Sequence, residues 1–214
     1  MKGGCAEMDE FMSRKNERER RPNHRGFSMV ELMIVVVLIL LLAGIAIPTF
    51  LTIQRNLRVS GDSRGIADQI ALAKMRAASA FTRARVYADL AANTYHIERW
   101  QKTGAPRWVT EGGIQNLSRG VRMGFGALGA APPNTQATLA QAPACRDSAG
   151  VAIANTACVL FNSRGIPIDA AGAPTANDAI YITDGNFVYG TTISAMGLSS
   201  AWRSGARTAV WKKQ

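Results

Sequence analysis

The sequence is poor in the residues that build catalytic and metal sites. Its 214 residues include two histidines, His24 and His96, and three cysteines, with no CxxC and no Cys/His spacing of the kind that binds metal. The GxSxG, P-loop and HExxH motifs are also absent. His96 lies two residues before Glu98 in an alternating segment, which predicts a surface pair rather than a catalytic dyad. We therefore predict that the chain is not an enzyme and needs no cofactor or metal.

The sequence also lacks an ordinary secretory cleavage site. Residues 32–47 form an uncharged apolar run, but no small-x-small pattern follows it, and Pro48 stands directly after it. The run has 16 residues, about 24 Å of helix, and residues 27–30 extend it to roughly the thickness of a bilayer. Basic residues precede the run, so the positive-inside rule predicts a cytoplasmic N-terminus and an outward-facing remainder.

Acidic residues are too few to balance the basic ones. The chain has 25 Lys and Arg residues against 15 Asp and Glu, a formal net charge of +10. Residues 1–25 hold seven basic and five acidic side chains, so a net charge of +8 belongs to the remainder. This balance favours contact with nucleic acid, anionic lipid or an acidic polymer, and an inert basic surface is the alternative.

The apolar pattern predicts one long helix followed by short strands. Apolar residues recur every three or four positions from Ile66 to Ala84, which extends the helix from about residue 27 to about residue 85, with a kink at Pro48. Strand-like pieces follow at residues 95–98, 121–125, 158–161, 179–182, 186–190 and 207–211, and Asp184-Gly185 is a hairpin turn. Residues 126–157 are predicted to form a long loop. The fold class is therefore α+β, a long N-terminal helix packed on an antiparallel β-sheet.

Two of the cysteines, Cys145 and Cys158, stand on either side of part of this loop. If this part of the chain is exported, they are able to form a disulfide. Such a bridge contributes roughly 3 kcal/mol in the chain-entropy model. Two free thiols in a reducing compartment are the alternative.

The start of the apolar run carries a specific motif. Gly26-Phe27-Ser28-Met29-Val30-Glu31, followed by the apolar helix, resembles the class III signal of type IV pilins and pseudopilins. The resemblance implies that a prepilin peptidase cuts between Gly26 and Phe27 and N-methylates Phe27. It also implies a cleaved leader at residues 1–26, a transmembrane and assembly half of the helix at residues 27–52, and a pilin-like periplasmic domain at residues 53–214.

Glu31 gains a physical role from this processing. A carboxylate at the edge of the bilayer core costs a few kcal/mol unless it finds a partner. Cleavage after Gly26 creates a positive amine on Phe27, one helical turn away. Glu31 of one subunit is then able to pair with the amine of a neighbour. The alternative is an acid that reaches the headgroups from a plain single-pass anchor.

The rest of the chain resembles the GspH/FimT family of minor pseudopilins. The resemblance lies in residues 67–85, in residues 158–165 and in a basic final strand. It implies a structural subunit of a type IV pilus or a type II secretion pseudopilus. Its partners are then prepilin peptidase, other pilins or pseudopilins and inner-membrane lipid. The implied location is the inner membrane with the C-terminal domain in the periplasm, and then the filament.

The C-terminus raises a second hypothesis, DNA binding during uptake. Cations combined with tryptophans are typical of single-strand binders, and some members of the resembled family bind DNA through a C-terminal Gly-Arg-x-Arg element. Here Ala206 stands at the first arginine position. The alternative is an edge strand protected by charge, with both tryptophans in the core. The residues concerned are Arg203, Arg207, Lys212 and Lys213, with Trp202 and Trp211.

Overall fold

A computed structural model describes residues 27–214 and begins with one long helix. Helix α1 covers Met29–Ser79 and has Glu31 in its first turn and Arg76 in its last, the charge order that complements the helix dipole. Pro48 lies inside α1, and the helix continues past it, as predicted. The chain divides into two compact units after Pro48, and the two are described separately.

The end of α1 differs from the prediction. We expected the helix to reach about Arg85, but it ends at Ser79. Phe81 adopts a left-handed conformation with φ of 46°, and the Thr82 amide donates to the Ala77 carbonyl at 3.1 Å. This is the backbone geometry of a Schellman C-cap, which stops a helix. Arg85 consequently belongs to the first strand.

The first unit, as far as it is described, is a bare apolar helix. Its large apolar side chains are strongly exposed, for example Leu32 at 59%, Ile39 at 58% and Leu42 at 68%. Within the described residues, α1 is the one helix long and apolar enough to cross a membrane. Exposure of so much contiguous apolar surface to water is unfavourable, so lipid or other protein must cover it.

The second unit holds ten strands in two antiparallel sheets. The first sheet has the order β3-β2-β1-β5-β6 and the second β10-β9-β8-β7-β4. The strands are β1 (Ala84–Asp89), β2 (Thr94–Gln101), β3 (Arg107–Asn116), β4 (Arg122–Met123), β5 (Thr156–Phe161), β6 (Pro167–Ile168), β7 (Asp178–Thr183), β8 (Phe187–Ile193), β9 (Ser199–Gly205) and β10 (Thr208–Lys213).

One main core joins the second part of α1 to both sheets. The helix buries Ile66, Ile70, Ala73 and Ala77 at intervals of three and four, which confirms the predicted apolar seam within the helix. These side chains share a cluster with apolar residues of both sheets, including Val86, Ile97, Val159, Phe161, Ile180 and Ile182. A smaller cluster lies around Tyr181 and Val188 on the second sheet. The α+β class with a helix on antiparallel sheet is thereby confirmed.

The strand predictions hold in part. The strands β2, β5, β7, β8 and β10 contain predicted pieces, and the turn at Asp184 and Gly185 joins β7 to β8. The Asp184 carboxylate accepts the backbone N–H groups of Asn186 and Phe187, so its role is that of turn chemistry. Three longer strands, β1, β3 and β9, were not predicted.

The disulfide prediction is confirmed. Cys145 and Cys158 are bonded, and they connect the long loop to β5. The Cys158 amide also donates to the Pro143 carbonyl at 2.8 Å, and the Ile153 amide donates to the Cys145 carbonyl at 2.7 Å. The loop is therefore fixed against the first sheet by covalent and hydrogen bonds.

Candidate functional site

The N-terminal motif occupies the start of α1. Phe27 and Ser28 precede the helix, and the Leu32 amide donates to the Ser28 carbonyl at 3.1 Å. Glu31 is exposed in the first turn, and no other residue within 27–214 forms an ion pair with it. Gly26 lies outside the described residues, so cleavage between Gly26 and Phe27, methylation of Phe27 and the assembly role of Glu31 stay predictions.

The surface that follows Glu31 is suited to lateral packing of helices. From Leu32 to Ile47 nearly every residue is exposed, and the segment is rich in Val, Leu and Ile, with small residues at Ala43 and Gly44. A Cβ built at Gly44 has nothing within 4 Å. Such a face offers both broad apolar area for lipid and a close approach for a second helix.

The basic C-terminal residues lie on the hairpin β9–β10, at one edge of the second sheet. Lys212 is opposite Arg203 and Lys213 is opposite Trp202, so each pair shares a face and the two pairs occupy opposite faces. Arg207 is exposed in the turn between the strands. The four cations are therefore neighbours along one hairpin without forming a single-faced patch.

The aromatic residues of this hairpin make contacts within the domain. The Trp211 indole N–H donates to the Ala130 carbonyl at 2.8 Å, and its ring centroid is 5.8 Å from that of Tyr181. The Trp202 indole N–H donates to the Thr192 hydroxyl at 2.9 Å. Their N–H groups are thus already used, although both rings stay partly exposed.

A buried charge cluster on the first sheet was missed by the sequence interpretation. Arg85, whose side chain is 5% exposed, donates from Nε to Glu98 Oε2 at 2.6 Å and from Nη1 to the Arg146 carbonyl at 2.6 Å. His96 Nε2 lies 3.5 Å from Glu98 Oε1. The two side chains pair on one face of β2, as predicted, but the predicted surface location is wrong, because both side chains are largely buried. The sequence did contain a signal for β1, the strand of Arg85. In Arg85-Val86-Tyr87 an apolar side chain stands between two side chains that carry polar groups, an alternation that is typical of a β-strand.

The electrostatics of this cluster favour an ionised glutamate. Burial on its own opposes ionisation, but the hydrogen bond from His96 and the charge of Arg85 outweigh it and lower the pKa of Glu98. The Arg85 guanidinium also lies over the Trp108 ring, 4.0 Å from its centroid. The cluster is a hydrogen-bonded ion pair that fixes loop to sheet. Within residues 27–214 no group of three or more His, Cys, Asp or Glu side chains is arranged to hold a metal ion.

Comparison with known families finds one match at the N-terminal motif. Residues 21–47 match the family model described as the prokaryotic N-terminal methylation motif. This confirms, for that segment, the predicted resemblance to the type IV pilin and pseudopilin superfamily. No curated protein matches the chain.

Comparison with solved structures finds the minor pseudopilin EpsH from the type 2 secretion system of Vibrio cholerae. The sequences are 10% identical, the TM-score is 0.42, and the match covers 71% of this chain and 99% of that chain.

Proposed function

We propose that the chain is a minor pseudopilin, a structural subunit that is anchored in a membrane by its N-terminal helix and assembled into a filament through the same helix. The observation that carries this proposal is the methylation motif at residues 21–47, placed directly on an exposed apolar helix. The helix offers a surface that lipid covers before assembly and that neighbouring helices cover afterwards. The filament is a type IV pilus or a type II secretion pseudopilus.

Processing prepares this helix for assembly. Prepilin peptidase cuts between Gly26 and Phe27 and methylates the new amino terminus. The free amine of Phe27 then lies one helical turn before Glu31, at the positive end of the helix dipole. Pairing of Glu31 with the amine of a neighbouring subunit neutralises both charges and sets the axial register of the two helices. The residues after the membrane segment face the periplasm.

A pair of glycine variants tests the processing step. Full-length chain is coexpressed with a prepilin peptidase and its electrophoretic mobility is followed over time. Wild type and Gly44→Ala should both convert to a shorter form, because a Cβ at Gly44 meets nothing within 4 Å. Gly26→Ala should stay uncut. Equal conversion of Gly26→Ala and wild type would show that the chain is not processed at this position.

A charge variant separates assembly from processing. Glu31→Gln should still be cut but should be lost from filaments sheared off the cell, since the neutral amide gives the Phe27 amine no counter-charge. Asp68→Asn, which changes an exposed acid of the same helix in the second unit, is the control and should assemble normally. Normal incorporation of Glu31→Gln would exclude the pairing.

The alternative function, DNA binding during uptake, is supported by the exposed cations Arg207, Lys212 and Lys213 on one hairpin. It predicts a salt-dependent affinity of the full chain for single-stranded DNA. Replacement of these three residues and Arg203 by alanine should lower the slope of log affinity against log salt by up to about three, roughly 0.7 per lost phosphate contact. An unchanged slope would remove the hairpin from any DNA-binding role.

A further inference from the structure

The first sheet carries a groove of about 480 Å³ on the face that points away from the main core. Residues alternate along β1, so that Ala84 and Val86 enter the main core and Arg85 lies on the opposite face. The volume is within the range of ligand-binding clefts. The lining crosses the sheet from β3 to β6 and includes Trp108, Trp100, Arg85, Cys158, Leu160 and Ile168.

The disulfide-bonded loop forms one wall of this groove. Cys145 is bonded to Cys158 on β5, and the Arg146 carbonyl accepts a hydrogen bond from Arg85. Farther along the loop, the Ser148 hydroxyl accepts a hydrogen bond from the backbone N–H of Trp108 on β3, at 3.3 Å. The loop is therefore attached to three different strands, and these attachments fix it in place as a wall of the groove.

The end of the groove near β2 and β3 is aromatic and basic. The rings of Trp100 and Trp108 meet edge to face with centroids 5.1 Å apart. The Arg83 guanidinium lies over both, 4.8 Å from the Trp100 centroid and 5.9 Å from that of Trp108. Cation–π attraction to the two rings positions the guanidinium without using its N–H donors.

Arg83 differs from the other cations of the lining because its guanidinium has no hydrogen-bond or ion-pair partner among residues 27–214. Arg85 is paired with Glu98, and Arg146 donates to the Gly150 carbonyl at 2.7 Å. Arg83 is half-buried, and although its backbone carbonyl accepts the Trp100 amide, its side chain makes no hydrogen bond or ion pair with any described residue. A partly desolvated guanidinium held against aromatic rings is suited to a carboxylate, which an arginine is able to bind through two parallel hydrogen bonds.

The end of the groove near β6 is acidic, and within the described part of the chain the carboxylate of Asp178 lacks the hydrogen bonds that the other acidic side chains of the lining accept. Asp169 accepts backbone N–H groups of its own turn, as does Asp147, which lies farther away in the loop beside Arg146. Asp178, at the start of β7, is 9% exposed and accepts no hydrogen bond at its carboxylate from any described residue. Burial, and then the nearby charge of Asp169, raise the pKa of Asp178 to about 6. A cationic group bound in the groove would stabilise the ionised carboxylate and offset the repulsion from Asp169.

We propose that this groove binds an extended segment of a partner protein that presents a carboxylate to Arg83 and a cationic side chain to Asp178. The lining runs from Trp108 on β3 to Ile168 on β6, four strand spacings or about 19 Å, which an extended segment of about five residues covers with long side chains at its two ends. A second copy of this chain is disfavoured as the partner, because residues 26–214 carry a net charge of +8. The inference goes beyond the proposed function and does not depend on processing or filament assembly.

Tryptophan resonances offer a direct test with internal controls. Full-length chain in detergent micelles is labelled with ¹⁵N-tryptophan, and the four indole signals are assigned by Trp→Phe variants. The probe is a pool of blocked pentapeptides with Glu first, Lys last and Ala, Ser, Val, Leu or Phe between. Titration into the millimolar range should shift the signals of Trp100 and Trp108 and leave those of Trp202 and Trp211 in place. A pool with Gln at both ends should cause much smaller shifts.

Two charge variants establish which groups recognise the segment. Arg83→Gln should weaken binding of the Glu/Lys pool about tenfold or more. Arg164→Gln, an exposed arginine outside the lining, should bind as wild type does. Asp178→Asn should weaken binding of the Glu/Lys pool but not of a pool with Glu first and Gln last. Unchanged Trp202 and Trp211 signals verify the fold of each variant. Absent shifts at Trp100 and Trp108, equal shifts with the uncharged pool, or equal affinity of Arg83→Gln would each overturn the proposal.

Discussion

Residues 27–48 and residues 49–214 use apolar side chains in opposite ways. In the first part the helix exposes nearly all of them, and its large side chains such as Ile39 are more than half exposed. In the second part the same helix buries Ile66 and Ile70 almost completely against β-strands. The exposed apolar surface continues along α1 as far as Leu57, and burial against the sheets begins at Val59. The difference indicates that the helix up to Leu57 needs other molecules to cover it, whereas the later part packs within the chain. We accordingly assign the proposed assembly to the helix and the proposed recognition of a partner segment to the domain.

A matched pair of isoleucines on α1 makes the sharpest test of this contrast. Ile70→Ala removes a side chain that is 1% exposed and should destabilise the domain by about 2–5 kcal/mol. Ile39→Ala removes a 58% exposed side chain and should leave the unfolding midpoint of the domain unchanged. Urea unfolding followed by near-ultraviolet circular dichroism measures both. A similar loss in the two variants would contradict the division into two kinds of packing.

The buried ion pair should have the next largest effect. Glu98→Gln leaves Arg85 buried without its counter-charge and should destabilise the domain by about 3 kcal/mol at pH 7. Glu111→Gln is the control, since the Glu111 side chain is 31% exposed and its pairs with Arg76 and Arg99 are worth about 1 kcal/mol or less. If both variants lose equally little in urea unfolding, the cluster does not contribute to stability.

The pH dependence of this effect follows from the lowered pKa of Glu98. A carboxyl whose folded-state pKa lies below its unfolded value binds protons more weakly when folded. Its contribution is present at pH values above the ordinary glutamate pKa and is lost as the pH falls through the lower folded value. The difference in stability between wild type and Glu98→Gln should therefore shrink in acid.

Asp178→Asn should have a smaller effect of opposite sign. The pKa of Asp178 is raised from 3.8 to about 6, so the folded state binds this proton more tightly than the unfolded state does. Wild type then loses stability as the pH rises from about 4 to about 6, and the amide removes that penalty. We expect Asp178→Asn to stabilise the domain by about 2–3 kcal/mol at pH 8 and to have little effect below pH 4. Destabilisation at pH 8 would show that the acid has a partner in the folded domain.

Much of the fold was predictable because it depends on local patterns. The apolar run, the buried seam at Ile66 and Ile70, and the turn at Asp184 each follow from spacing or turn chemistry over a few residues. The end of α1 was not predictable in the same way, because Phe81, a bulky residue, takes the left-handed C-cap conformation that usually indicates glycine. That error hid β1 and with it the position of Arg85.

The groove could not be predicted from the sequence, for a different reason. Arg83, Trp100, Trp108 and Asp178 come from separate strands and loops, and only the strand order brings them to one face. The disulfide between Cys145 and Cys158 was predicted, but its role as part of the wall depends on where the loop crosses the sheet. The motif at residues 21–47, by contrast, is contiguous, so sequence alone was enough to find it.

The central claim concerns the amino terminus of the mature chain. The most direct measurement is the intact mass and N-terminal fragment spectrum of wild-type chain isolated from membranes that contain a prepilin peptidase. The account predicts a chain that begins at N-methylated Phe27 and has lost residues 1–26. A chain that retains the leader, or one cut on the far side of the apolar run after Ile47, would contradict it.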